Sequence, residues 1–278
     1  NKNDYLFIYL ITSLPLLITT IFNLDNKIIF RVSGKIYFSI FRNFVYKISK
    51  KKIFKILVQT SYSKKIFLDK KIFKNKDVSI VYDPIIDQKK INKLKKEKIE
   101  KKYFKKKYFI SIGRLSVQKN FIFLLRCIKK IIRFEKNYNF LILGNGEQKN
   151  YIKDFIKNNK LSNYVTLGGY KKNVYKYIKN SSGLICTSLW EEPGFIIQEA
   201  AACNKIILTS NCKSGPEEFL RYGKNGYIFK NNNKKSFIKI FKKLLNEKKK
   251  HDLKIKNNLQ TIKLYSKYKF YKDINKIL

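Results

Sequence analysis

Short apolar runs and longer segments with apolar residues at three- and four-residue spacing alternate along almost the whole chain. The runs read as buried strands and the spaced segments as amphipathic helices. Strands are predicted at Lys27 to Val32, Ile56 to Thr60, Val78 to Val81, Tyr108 to Ile112, Phe140 to Leu143, Tyr164 to Leu167, Gly183 to Thr187, Lys205 to Thr209 and Tyr227 to Phe229. Between them, helical spacing runs over Ile36 to Ile48, Ser61 to Phe67 with a serine cap, Phe121 to Ile132, Tyr151 to Lys157, Val174 to Ile178, Glu217 to Tyr222 and Ser236 to Leu245. Phe7 to Phe22 reads as a strand followed by a buried helix. It is short for a bilayer span, Thr12, Ser13 and Pro15 interrupt it, and no basic segment leads into it as a secretory signal requires.

Strand and helix in alternation predict parallel sheets with helices on both faces. Asp83-Pro84 breaks the pattern, because proline holds its predecessor in extended geometry. The charged run Gln88 to Lys107 follows, as a solvated helix or hinge. These breaks divide the chain into a first unit over residues 1–87 and a second over 88–261, with the polar helical end, 262–278, packing back on the first. The chain contains no Met and opens on Asn1, so we expect a first domain that lacks its N-terminal part.

Composition changes this picture little. Apolar residues make up 44% of the chain, enough for real cores, and the net charge is +43. Such a charge attracts anions, but the lysines are spread evenly amid many Asn, Ile, Phe and Tyr residues, a bias that AT-rich coding produces by itself. Attraction to an anionic membrane surface ranks second, and specific nucleic-acid binding third, since no RNA-binding aromatic signature or zinc finger accompanies the charge. Cys127, Cys186, Cys203 and Cys212 show no metal or disulfide spacing, which fits a reducing cytoplasm, and no metal is expected. The single histidine, His251, lies in a lysine-rich tail, so a histidine-dependent nucleophile is excluded.

The chemistry concentrates in Trp190-Glu191-Glu192-Pro193-Gly194-Phe195-Ile196-Ile197-Gln198-Glu199. It follows a buried strand and opens a helix, with Glu191 in the turn and Glu199 about two helical turns further on. A helix N-terminus offers unpaired N–H groups to a diphosphate, and a carboxylate beyond it accepts from a ribose diol. Either glutamate alone would also fit a solvated acid at a helix start. Gly113-Arg114 follows another strand and Lys119-Asn120 opens the next helix. Arg114 offers a planar fork to phosphate oxygens and Lys119 a point charge. Gly144-Asn145-Gly146 also follows a strand, either as a tight turn or as a close approach to ligand. Gly168-Gly169 reads equally as a close approach to a base or a plain loop. Ser214-Gly215-Pro216-Glu217-Glu218 reads as a capping box.

In their order along the chain, Gly113-Arg114 with Lys119-Asn120, the Gly144/Gly146 loop, Leu167-Gly168-Gly169-Tyr170, Glu191 to Glu199, Gly215-Pro216-Glu217-Glu218 and Asn225-Gly226-Tyr227 resemble the retaining glycosyltransferases of group 1 (family 4), which have the two-domain GT-B fold. Tyr82-Asp83-Pro84-Ile85-Ile86 resembles the family's Asn-Pro-Ile-Asp interdomain linker, with Asp in place of Asn. The resemblance covers about residues 56 to 250. It implies an α/β chain of two Rossmann-like parallel-sheet domains, the first N-terminally truncated: its glycine-rich first loop and acceptor-side histidine are not in this sequence. It implies a retaining hexosyltransferase that moves a sugar from a nucleoside diphosphate sugar, UDP-linked for preference, to a cell-surface glycan or lipid-linked acceptor. The setting would be envelope or lipopolysaccharide biosynthesis, in the cytoplasm or peripheral on the cytosolic face of the inner membrane. Arg114, Lys119 and Glu191 would carry catalysis. Gly113, Gly144, Gly169, Gly194, Phe195, Ile196 and Glu199 would bind the donor. Neither metal nor cofactor would be needed, because fixed cations and amides stabilise the leaving diphosphate, which itself takes the acceptor's proton.

Two other functions fit parts of the pattern. A sugar-nucleotide epimerase of the same fold would release an altered sugar nucleotide without any acceptor. A basic, non-enzymatic nucleic-acid-binding module would show steeply salt-dependent binding that survives loss of both Arg114 and Glu199.

Overall fold

The computed structural model describes residues 4–9, 13–24, 26–32, 34, 36–100 and 106–278. It contains two parallel sheets, one of four strands and one of six. The first runs β1 (Tyr5–Tyr9), β2 (Lys27–Arg31), β3 (Ile53–Val58) and β4 (Val78–Ile80) in that spatial order. The strand alternation sorts its side chains by face. Ile28, Phe30, Ile56 and Val58 pack under α1 (Ser13–Ile21), α2 (Ile40–Ser49) and α3 (Ser61–Asp69), with Leu16, Val45, Tyr46 and Phe67. Ile29, Leu57 and Val81 point the other way and pack against Ile274.

The second sheet contains β5 (Lys107–Ile112), β6 (Tyr138–Leu143), β7 (Val165–Gly169), β8 (Gly183–Cys186), β9 (Ile207–Ser210) and β10 (Tyr227–Phe229), in the order β10-β9-β8-β5-β6-β7. On one face lie α5 (Phe121–Ile131), α6 (Lys149–Asn158) and α10 (Lys234–Asn246), around Leu124, Ile128, Ile152 and Phe241. On the other lie α4 (Gln88–Leu94), α7 (Tyr175–Asn180), α8 (Phe195–Ala202) and α9 (Pro216–Phe219), around Ile91, Ile178, Ile197 and Phe219. Winding reverses between β5 and β8, which are neighbours although three strands apart in sequence. The crevice at such a reversal is where open parallel sheets bind ligands.

The chain crosses between the sheets twice. After β4 it runs outward past Pro84, and it returns beyond α11 (His251–Thr261) into α12 (Lys267–Asn275). The crossings touch: the Ile86 amide donates to the Tyr265 carbonyl at 3.0 Å. α12 brings Ile274 to the first sheet. Arg31, at the end of β2 and 2% exposed, donates to the Val81 carbonyl at 2.7 Å and pairs with Asp83, so a buried guanidinium ties the linker to the first sheet.

Several sequence expectations need correction. The helical pattern from Ile36 starts as helix only at Ile40, because the Ser39 hydroxyl caps it by accepting from the Arg42 amide. The cap of α3 is Thr60 rather than a serine: its hydroxyl accepts from the Ser63 amide at 3.0 Å. α1 is not a buried helix. Leu16 and Thr19 are covered, but Leu14, Ile18, Ile21 and Phe22 face outward with no described element over them. Gly168 and Gly169 close β7 and are not a loop. The 88–107 run begins as the seven-residue α4, held by buried Ile91, while residues 101–105 lie outside the described residues. So does Ser33 of the expected turn at Ser33-Gly34.

Candidate functional site

The loops after β5 and β8 meet at the winding reversal, and hydrogen bonds to their backbone carbonyls stitch them together. The Leu189 amide donates to the Gln118 carbonyl at 2.8 Å, the Gln118 side chain to the Trp190 carbonyl at 2.9 Å, and the Thr187 hydroxyl to the Lys119 carbonyl at 3.0 Å. This register sets Lys119 against Glu191, with Nζ 2.5 Å from Oε1. Ser188 donates to the same oxygen at 2.5 Å. Glu191 is 6% exposed, so it is no solvated helix-start acid. A buried carboxylate needs such partners to stay charged. Its Oε2 accepts no hydrogen bond among the described residues.

The loops after β5, β6 and β7 are joined in the same way. The Gly113 amide donates to the Leu143 carbonyl, the Leu115 amide to the Asn145 carbonyl and the Gly144 amide to the Gly169 carbonyl, all at 2.9 to 3.0 Å. Gly144 has φ of +146°, and a Cβ there would overlap the Gly113 carbonyl oxygen. The glycine is therefore a packing requirement of this loop pair. The loops line a cavity of about 460 Å³ with Gly113, Arg114, Asn145, Tyr170 and Val174. Arg114 is exposed, and its side chain makes no hydrogen bond or ion pair among the described residues. Its guanidinium can therefore turn toward an anion without breaking a bond.

α8 opens at Gly194, in the left-handed region at φ +84°, after a cis Glu192-Pro193 bond. The Ile197 amide donates to the Gly194 carbonyl, which leaves the Phe195 and Ile196 amides without an acceptor among the described residues. Glu199 stands little more than one turn into α8, closer than the two turns expected. The Tyr175 hydroxyl donates to its Oε1 at 3.1 Å. Burial pushes the Glu199 carboxyl above its ordinary range, and this hydrogen bond pulls it back. Val174, which precedes Tyr175 in sequence, lines the Arg114 cavity, whereas Glu199 is not among the residues that line it. Lys119 and Glu191 form a separate bonded pair in the same sheet reversal. Gly169 sits at the β7 end of this wall at φ +68°.

The capping box at residues 214–218 is not formed. Gly215 is the cap, with no side-chain bond. Ser214 instead donates to Glu192, and Glu218 accepts from the Ser61 amide at 2.9 Å and the Ser61 hydroxyl at 2.6 Å. Ser63 also donates to Glu192, at 2.8 Å. The Ser61–Glu218 bonds lie at the exposed rim between the domains, while the Ser63–Ser214–Glu192 group is partly buried, where polar atoms must satisfy one another. Beside this cluster lies an interdomain cavity of about 280 Å³ lined by Tyr62, Ile66, Trp190, Glu191, Glu192 and Lys213. Sequence reasoning missed Ser188, Tyr175 and the whole cluster. Ser188 was within reach, three residues before Glu191, but the Thr60 and Glu192 partners are 132 positions apart and carry no local signal.

His251 donates to or accepts from nothing catalytic; its ring nitrogen lies 3.0 Å from the Leu244 carbonyl. All four cysteines are buried and unpaired.

Known proteins share this organisation. The family model of glycosyl transferases group 1 matches residues 92–261. An uncharacterized glycosyltransferase of Methanocaldococcus jannaschii is 35% identical over 168 residues, covering 59% of this chain and 41% of that protein. The N-acetylgalactosamine-N,N'-diacetylbacillosaminyl-diphospho-undecaprenol 4-alpha-N-acetylgalactosaminyltransferase of Campylobacter jejuni is 28% identical over 170 residues, 61% of this chain and 46% of that one. The chain thus spans less than half the length of either relative. Among solved structures, Anabaena HepE in complex with UDP superposes with a TM-score of 0.82 at 15% identity, over 98% of this chain and 78% of that one. The apo lipopolysaccharide outer core galactosyltransferase WaaB gives 0.75 at 18% identity, over 99% and 74%. Two parallel-sheet α/β domains with these neighbours are the GT-B fold. With the family model matched over more than half of its length, the chain belongs to the group 1 glycosyl transferases.

Proposed function

We propose that the protein transfers a hexose from a nucleoside diphosphate sugar, UDP-linked for preference, to a glycan or lipid-linked sugar acceptor of the cell envelope, with retention at the anomeric carbon. One observation carries this reading. Glu191 and Glu199, at the sheet reversal, are each held through Oε1 and keep Oε2 uncommitted among the described residues. Carboxylates held in this way suit hydroxyl donors, and a sugar nucleotide presents two sets of them, on its ribose and on its sugar.

In this reading Arg114 and the first amides of α8, at Phe195 and Ile196, take the diphosphate. Gly113, Gly144, Gly169 and Gly194 let the backbone approach it. Lys119 neutralises charge as the bond between the anomeric carbon and the phosphate oxygen breaks. Glu191 receives the donor sugar's hydroxyls and Glu199 the ribose. The acceptor hydroxyl enters from the interdomain cavity beside Trp190, forms the new bond on the face the diphosphate leaves, and gives its proton to the departing phosphate oxygen. The chain's own groups supply electrostatic stabilisation of the leaving group, and no side-chain nucleophile or metal is required. HepE, bound to UDP, supports the choice of donor class, and the undecaprenol-linked substrate named for the Campylobacter relative supports a lipid-linked acceptor.

The acceptor class also fits the outward side of the first domain. Ile18 and Ile21 on α1, Phe22 just after it, and Ile40, Phe41 and Phe44 on α2 are exposed. We place this face against the anionic cytosolic leaflet, where the net charge of +43 adds attraction. No helix among the described residues is long and apolar enough to cross a membrane.

The test is calorimetric titration of UDP and GDP, followed by UDP release from UDP-sugars with and without a lipid-linked glycan. Binding of one nucleotide that falls at least tenfold in Glu199→Ala supports the reading. Absence of binding by both nucleotides overturns it.

A further inference from the structure

We infer that Tyr175 is a positioning residue for Glu199: its hydroxyl fixes one carboxylate oxygen so that the other faces the ribose hydroxyls of the bound nucleotide. The inference rests on the reading of Glu199 as the ribose acceptor.

The geometry gives Tyr175 this task and little else. Its hydroxyl makes the single hydrogen bond that the Glu199 carboxylate accepts among the described residues, at 3.1 Å. A glutamate side chain has three rotatable bonds, so an unheld carboxylate would lose much of that freedom on binding ribose. Holding it beforehand removes that cost. Gln198, before Glu199, turns its amide to the Gly194 and Phe195 carbonyls, and the residues after Glu199 carry no donor side chain. Ala200, Ala201 and Ala202 follow it, and all three are buried in the core. The tyrosine comes from the neighbouring helix.

Tyr175 is itself placed by a chain of bonds. Its amide donates to Asn173 Oδ1 at 3.0 Å, and Asn173 Nδ2 donates to the Leu94 carbonyl at 2.9 Å. The start of α7 is thereby fixed to the end of α4, which Gln88 ties in turn to the Ala202 carbonyl at the end of α8. The frame closes on itself: α4 holds α7, α7 holds Glu199, and α8 carries Glu199. Its ligand-facing edge is Val174, which shares the cavity wall with Gly113 and Arg114. Burial raises the Tyr175 phenol further above its ordinary value, and the charge of Glu199 adds to this, so the hydroxyl remains a donor at any working pH.

A bond between two helices could also serve only to hold α7 on α8, and the test separates the two roles. Affinity is measured by calorimetry for UDP (or GDP, if it binds more tightly) and for its 2′,3′-dideoxy analogue. The wild type should prefer the ribonucleotide, and Glu199→Ala should erase that preference. If either fails, the ribose reading is lost and the inference with it. Given both, Tyr175→Phe should weaken the ribonucleotide about 3- to 10-fold and leave the dideoxy analogue unchanged. Equal weakening of both ligands, or of neither, overturns the positioning role. The double variant gives a second check. It should bind the ribonucleotide no more weakly than Glu199→Ala alone, whereas multiplied losses would show that Tyr175 acts independently of Glu199.

Discussion

Replacing Glu192 by glutamine should remove a pH dependence of stability that runs opposite to that of most carboxylates. The Glu192 carboxyl lies where the two domains meet, accepting from Ser63 at 2.8 Å and from Ser214. Burial first, and the charge of Glu218 second, raise it from 4.5 to about 7, while the Ser63 and Thr60 bonds pull the other way. Glu191 and Lys213 border the same cavity, and Glu191 is already paired with Lys119. Because the folded pKa is the higher one, the folded chain binds the extra proton between these values. Stability is then greatest below about 4.5 and falls as pH rises to about 7. At 1.36 kcal/mol per pH unit, the interval corresponds to about 3 kcal/mol at most. Glutamine keeps a carbonyl to accept from the serines and carries no charge to desolvate. Urea denaturation of both proteins at pH 5, 6, 7 and 8 isolates the effect in their difference. The variant should gain about 2–3 kcal/mol on the wild type between pH 5 and 8. Parallel profiles would refute the reasoning, since they would mean that Glu192 titrates alike in the folded and unfolded chains.

Other perturbations separate binding from folding. Arg114→Ala should lower nucleotide affinity about 10- to 100-fold and flatten its dependence on salt, without moving the thermal midpoint, because Arg114 has no partner to lose. Lys119→Met should lower both affinity and midpoint, since it strands the buried charge of Glu191; titration and calorimetric melting would distinguish the two variants. Asp83→Ala should cost about 3–5 kcal/mol in urea unfolding by leaving the Arg31 guanidinium buried and unpaired, while Asp83→Asn, which keeps an acceptor, should cost less than half as much. Gly144→Ala should abolish nucleotide binding by driving a methyl group into the Gly113 carbonyl. Gly169→Ala, with nothing within 4 Å of the new atom, should cost only about 1 kcal/mol of backbone strain in urea unfolding, while its methyl group lowers nucleotide affinity where it meets the donor.

The periodicity of the chain revealed the second sheet well, because its central strands carry short, largely apolar runs that are buried on both faces. Strands β5, β6 and β8 depart from the expected spans by no more than two residues at either end. The helix between them was equally plain, with Phe121, Leu124, Leu125, Ile128 and Ile131 on one face. Boundaries went astray where a single polar side chain decides them. Ser39 delays α2 by four residues, and Thr60 takes the cap expected from a serine; both belong to runs in which several hydroxyls could serve. The outward apolar side of α1 was misread because hydrophobicity reports what a residue avoids, not whether another element covers it.

The candidate site divides along a physical line. The backbone geometry of the candidate site could be read from sequence, since a glycine after a strand or a proline-glycine pair before a helix leaves a local trace. Gly113, Gly144 and Gly194 all stand where that trace predicted. Which side chain holds which leaves no such trace. Lys119 and Glu191 are 72 positions apart, Tyr175 and Glu199 are 24, and Ser63 and Glu192 are 129, while lysine, tyrosine and serine are all plentiful in this chain. What selects one of many such residues is the winding reversal, which puts the loops after β5 and β8 side by side and fixes their register through the Gln118, Thr187 and Leu189 bonds. Lys119 can be picked out in the sequence at the start of the next helix, but its pairing with Glu191 is set by topology. The same reasoning ranks the perturbations above: altering the Gln118–Trp190 register should disturb Lys119 and Glu191 together, even though neither residue is changed.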